Sequence, residues 1–198
     1  HVKFIRSADT GGGSYYRTFQ TPKYITFSGG PQLGTIYNAS KNREGNLKID
    51  GTSGNTIEFW MRKESGTFQS STRREVIFDI ASSATGRNAA TGENYGRLTV
   101  ELQNPASASD SPFMIVHRSG STGTSTGGAN FGKRLGSSNI TTSTVADGKW
   151  HHYAITMQTN STSTVYKFYV DGQLDHETQE SYVIGALNTP MTGAIGAL

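Results

Sequence analysis

Cysteine is absent from the 198 residues, which excludes a disulfide framework, a thiolate zinc site and a cysteine nucleophile. No run of apolar residues approaches the length of a membrane-spanning helix, and no basic, apolar, small-residue leader opens the chain. Charge is sparse as well. Charged residues make up 17%, the formal net charge is +3, and the basic residues are scattered apart from short pairs such as Arg73-Arg74 and Lys133-Arg134. That pattern describes a solvated surface rather than a nucleic-acid groove. Neither membrane insertion nor a nucleic-acid partner is expected.

The chain is instead rich in glycine, with 24 residues, accompanied by abundant Ser, Thr and Asn. Such a composition supplies many turns and few long helices, and it points to an all-β class. The length suits one well-filled core. With no fixed-period repeat and no sharp break in composition, residues 1–198 read as a single domain. The opening His and the closing GAIGAL, strand-like with no turn after it, lead us to expect a piece of a longer chain.

Short candidate strands recur along the sequence. KYITF and NLKID stand between turn-rich GGGS, SGGPQLG and NREG segments. In TIEFWMRK, alternation places Ile57, Phe59 and Met61 on one face and Glu58, Trp60 and Arg62 on the other. EVIFDI, GRLTVEL and PFMIVHR follow, with Leu98, Val100 and Leu102 alternating against Thr99 and Glu101. Residues 118–148 are polar, with Phe131, Leu135, Ile140 and Val145 as the apolar anchors, and read as a long surface loop interrupted by one short strand.

The densest stretch is DGKWHHYAITMQTNSTSTVYKFYVDGQLDHE, residues 147–177. Alternation sends His151, Tyr153, Ile155 and Met157 to one face and Trp150, His152, Ala154 and Thr156 to the other, so the adjacent histidines point apart and do not share an ion. A second strand carries Tyr166, Phe168 and Val170 on one face. Asp171-Gly172 then forms a tight turn in which Gly supplies positive φ. The polar TNSTST segment makes a long connection between the two strands.

Taken in order, GNTIEFWMRK at 54–63, DGKWHHYAITM at 147–157 and YKFYVDGQL at 166–174 resemble the laminin-G-like, concanavalin-A-like lectin/glucanase superfamily. The resemblance implies a jelly-roll sandwich of two antiparallel sheets, with a final strand such as TGAIGAL returning beside early strands. It also implies that Trp60 and Trp150 are scaffold aromatics rather than sugar platforms.

Some members of that superfamily are glycoside hydrolases whose acidic residues are spaced two apart along one strand. No E-x-D-x-x-E occurs here, and the neighbours of Glu101 along the chain are apolar or amide residues. STRREVIF lacks the R-x-E-x-R arrangement of the lyases. No G-x-S-x-G elbow is present, and the glycine clusters at 11–13 and 127–128 lack a P-loop ending. The chain is therefore expected not to be an enzyme.

Relatives of this kind bind glycans or proteins through rim loops, sometimes with calcium. The polar residues taken as loop positions are Asp79, Arg87, Asn88, Asn94, Tyr95, Arg97, Asn130 and Arg134. Arg87, Asn94, Tyr95 and Asn130 are the candidate ligand contacts, with Tyr95 stacking on a sugar ring; Asp79 is the candidate calcium ligand, and no other cofactor is expected. The leading expectation is a lectin-like recognition module of a larger extracellular, cell-surface or virion protein. The alternative is a decoration domain that binds neighbouring subunits, in a homo-oligomer or larger assembly, with no sugar ligand. Polysaccharide lyase or glycoside hydrolase activity ranks third.

Overall fold

The computed structural model describes residues 25–29, 49–68, 74–82, 96–119, 129–185 and 191–196. Their strands are β1 (Ile25–Gly29), β2 (Asn55–Arg62), β3 (Arg74–Ser82), β4 (Gly96–Gln103), β5 (Phe113–Ser119), β6 (Ala129–Arg134), β7 (Trp150–Thr159), β8 (Thr164–Val170), β9 (Gln173–Glu180) and β10 (Met191–Ile195), with a single-turn helix α1 at Thr142–Val145. Two sheets result, ordered β1-β10-β3-β4-β5-β6 and β2-β7-β8-β9. Every pairing in both is antiparallel. This is the expected two-sheet sandwich, and the last strand does return between β1 and β3.

Period-two alternation builds the core. Leu98, Val100 and Leu102 of β4, with Phe113 and Ile115 of β5, face Tyr153, Ile155 and Met157 of β7 and Tyr166 and Phe168 of β8. Phe113 bridges the sheets, its ring 4.7 Å from that of Tyr153 and 4.9 Å from that of Phe168. Burial raises the Tyr153 and Tyr166 hydroxyls well above their usual range.

From Ala129 onward, the polar stretch that follows β5 is built into the sandwich. Besides the expected short strand, β6, it contains α1, which Thr141 caps by accepting from the Thr144 amide. Leu135 and Val145 are drawn into the core. Ser137 then donates to Asp175 through both its amide and its hydroxyl, each at 2.7 Å, tying this segment to β9. The β7–β8 connection is shorter than expected, because ladder pairing continues as far as Thr159 opposite Thr164. Asn160 closes it, its side-chain oxygen accepting from the amides of Thr162 and Ser163. At the β8–β9 turn, Asp171 and Gly172 both have positive φ, 50° and 81°, the two-residue geometry that matches strand twist.

Candidate functional site

The outer face of the larger sheet carries the densest group of buried charge among the described residues. In β4, the alternation that turns Leu98, Val100 and Leu102 inward turns Arg97, Thr99 and Glu101 outward. Register then decides their neighbours. Asp79 stands opposite Thr99, Val76 opposite Glu101, and Arg118 opposite Arg97. A bulge between Val76 and Phe78 keeps Asp79 on this face.

Asp79 is fully buried. The Arg97 guanidinium donates to both of its oxygens, Nε to Oδ1 at 2.8 Å and Nη2 to Oδ2 at 3.2 Å, and Thr99 Oγ1 donates to Oδ1 at 3.2 Å. Glu101 is also buried, its side chain 3% exposed. Burial is the leading influence on it and raises its pKa against the opposing pull of Arg74, Arg118 and Arg97, with Asp79 adding to the rise. Arg74 Nη1 lies 3.2 Å from Glu101 Oε1, but the alignment is not that of a hydrogen bond, and Oε1 is without a hydrogen-bond partner among the described residues. The buried Nε of Arg118 is in the same condition. Arg74, Arg97, Thr99, Glu101, Val116 and Arg118 together line an open depression.

Several expectations are corrected here. Asp79 is not a loop carboxylate open to calcium: it lies within β3, and its oxygens are engaged by Arg97 and Thr99. No group of three or more His, Cys, Asp or Glu side chains able to hold a metal occurs among the described residues. Arg97 and Arg134 belong to strands, and Asn130 stands in β6 opposite Arg118. Arg87, Asn88, Asn94 and Tyr95 lie outside the described residues. Trp60 and Trp150 are not scaffold aromatics; they are 60% and 47% exposed on the outer face of the smaller sheet. His151 and His152 do point apart, the first bonding Asp171 and the second lying against Trp60.

A family model described as the concanavalin A-like lectin/glucanases superfamily matches residues 33–197. The chain belongs to that superfamily. No curated protein matches it. Among solved structures it is similar to the GlcNAcα1-4Gal releasing endo-β-galactosidase from Clostridium perfringens, at 14% identity over 87% of this chain and 40% of that one, with a TM-score of 0.40. It is also similar to the κ-carrageenase from Pseudoalteromonas carrageenovora, at 17% identity over 75% and 53%, TM-score 0.36. A third is the endo-β-1,4-glucuronan lyase from Trichoderma reesei, at 12% identity over 93% and 85%, TM-score 0.36. The chain thus spans about half, or less, of the length of the first two proteins.

At these identities the likeness is one of fold. The expectation that the chain is not an enzyme is nonetheless corrected, because the superfamily it belongs to takes in glucanases as well as lectins; the solved proteins named above are themselves enzymes. Its ground also fails in this structure. Glu101 lacks an acidic neighbour along its own strand, but pairing of β3 with β4 sets Asp79 on the same face. A motif confined to one strand could not have revealed a group assembled from three. Among the described residues, no helix is long and apolar enough to cross a membrane.

Proposed function

We propose that the chain binds an anionic polysaccharide, uronate-bearing or sulfated, along the outer face of the larger sheet and cleaves a glycosidic bond there, with Glu101 as proton donor. The observation that carries this reading is the pairing of Arg97 directly opposite Arg118 beside a buried Glu101. Like charges across a ladder are destabilising. Asp79 offsets Arg97, which leaves Arg118 and Arg74 to receive a ligand's carboxylate or sulfate.

A general acid must hold its proton at working pH, and burial raises Glu101 in that direction. Arg74 covers Glu101; an anionic group that draws the Arg74 side chain toward itself uncovers the carboxyl oxygen, whose proton goes to the leaving glycosidic oxygen as the C–O bond breaks, while water adds to the anomeric carbon and returns a proton to the carboxylate. Hydrolysis suits the site better than elimination, since among the described residues neither Tyr nor His lines the depression and His117, on β5, faces the core. Such a role fits an extracellular or surface setting, where anionic polysaccharides are met.

The test is retention and cleavage of alginate, pectate and carrageenans, followed by new reducing ends. Glu101→Gln is expected to lower cleavage by about 10²-fold or more while leaving retention in place, and Arg118→Ala to weaken retention and its salt dependence. Retention without new reducing ends reduces the reading to recognition alone. No retention of any anionic polysaccharide defeats it entirely.

A further inference from the structure

The two edges of the smaller sheet differ. At β9 the edge is covered: the Gly136 and Ser137 amides donate to His176 and Asp175, and Lys133 lies 2.6 Å from Glu180. Among the described residues β2 pairs with β7 alone, in a register that runs without a bulge from Asn55 opposite Met157 to Arg62 opposite Trp150. Its eight residues contain no proline, and the core-facing ones, Ile57, Phe59 and Met61, carry no charge. Edge strands of monomers are normally shortened, bulged, interrupted by proline or given inward charges, which prevents pairing with another chain. None of these devices is present on β2. Ile57 and Phe59 are also only partly buried, whereas Ile155 and Tyr153 opposite them on β7 are buried.

The backbone groups on the open edge follow from the ladder. His152 donates its amide to Asp171 Oδ1 at 2.8 Å, and its carbonyl accepts from the Asp171 amide, also at 2.8 Å. Both groups therefore point toward β8 and away from β2. In an antiparallel ladder the residue opposite turns away as well, so Trp60, opposite His152, aims its own N–H and C=O at the open edge. Alternation extends this to Thr56, Glu58 and Arg62. Charge then selects the occupant. The outer face of β2 places an acid, Glu58, and a base, Arg62, symmetrically about Trp60. Among the described residues Glu58 meets the His152 imidazole at 3.8 Å, and Arg62 meets Glu64 at 2.7 Å in an exposed pair of small energetic value. A second β2 laid antiparallel, Trp60 against Trp60, sets each Glu58 opposite the other copy's Arg62 and each Phe59 opposite the other copy's Met61. Slips of two or four residues instead face these charges with uncharged residues or with like charges, which disfavours them.

We infer that β2 is the contact strand of a symmetric dimer, its occupant a second copy of this chain, so that the two four-stranded sheets continue as one. The contact is isologous and closes on itself. Trp60, 60% exposed in the single chain, stands at the two-fold axis. The charged depression belongs to the other sheet, so the inference does not rest on what binds there.

The experiment measures the mass of the intact chain by sedimentation equilibrium over a concentration series. A reversible equilibrium between monomer and dimer is expected. Arg62→Glu should weaken it about tenfold or more, because symmetry changes two cross-strand pairs at once, and Glu58→Arg should do the same. Combining the two exchanges the charges and should restore the dimer. Since the chain has no cysteine, Trp60→Cys supplies a second readout. Across a hydrogen-bonded antiparallel pair the Cα atoms are about 5.5 Å apart, within disulfide reach, so mild oxidation should give a covalent dimer; Glu58→Cys, four residues out of register with its own copy, should give none. Arg118→Ala, on the other sheet, should leave the mass unchanged, which keeps this result separate from polysaccharide retention. A chain that stays monomeric at every concentration overturns the inference. So does a dimer that the single reversals leave intact or the double variant fails to restore, and so does a failure of Trp60→Cys to cross-link or a cross-link through Glu58→Cys.

Discussion

Replacing Asp79 by alanine is expected to cost about 3–5 kcal/mol, the usual consequence of removing one member of a buried ion pair. Its carboxylate is fully buried and accepts two bonds from the Arg97 guanidinium and one from Thr99. Without it, the Arg97 side chain, only 12% exposed, keeps its charge on the sheet face with its counter-charge gone. For a chain of this length each kcal/mol moves Tm by about 2–4 °C, so Tm should fall by about 6–20 °C. Arg97→Ala strands the carboxylate instead and should cost a similar amount. The double replacement should cost less than the sum by about 0.5–3 kcal/mol. Urea unfolding followed by far-ultraviolet circular dichroism, with m values compared across the cycle, measures all three. The same series in chelator and in calcium separates a structural ion pair from a metal ligand. A loss under about 1 kcal/mol for Asp79→Ala, or a calcium-dependent stabilisation that the variant lacks, would refute the reasoning.

Phe113 fills the middle of the sandwich between Tyr153 and Phe168, and Phe113→Ala should cost about 3–5 kcal/mol with an unchanged m value; a loss near zero would mean the sheets close over the cavity. At the sandwich rim, His151 bonds Asp171 at 2.7 Å and Asp147 at 3.3 Å. The Asp171 bond, ahead of the Asp147 bond, holds the imidazole above its ordinary 6.5, and the His151 bond holds Asp171 below its ordinary 3.8. The histidine's contribution is therefore full below pH 6.5 and fades as pH rises through the raised folded value. The contribution of Asp171 is full above pH 3.8 and fades as pH falls through the lowered one. His151→Gln should accordingly flatten the alkaline decline of Tm, and profiles that superimpose would exclude the pairing as a source of stability. His117 acts on the acid side. Burial pushes it down to about 4 from 6.5, so the unfolded chain takes up the proton first and stability falls across that interval; His117→Phe should remove this limb, whereas His151→Gln should leave it.

Strand faces were legible wherever alternation was clean. Ile57, Phe59 and Met61 pack against the core while Glu58, Trp60 and Arg62 face out, and β7 divides its histidines as alternation requires. The Asp171-Gly172 turn was legible too, because positive φ at both positions is a local demand. The role of the tryptophans was not. Size and hydrophobicity suggested scaffold residues, but the face opposite theirs already supplies the apolar layer, so the tryptophans are left outside. Helix α1 was hidden for another reason: one capped turn in a polar stretch leaves no periodic pattern.

By itself, then, the sequence determined class, strand faces, the tight turn and the family, since all of these rest on period-two alternation, composition and short local motifs. Tertiary structure decided which strands adjoin. Only the β3–β4–β5 pairing brings Asp79, Glu101 and three arginines to one face, and only the β2–β7 pairing sets Trp60 beside His152 on the outer face of the smaller sheet. Register is settled by burial of the apolar face and by turn geometry acting together, and sites assembled across strands follow from register rather than from any segment of the chain.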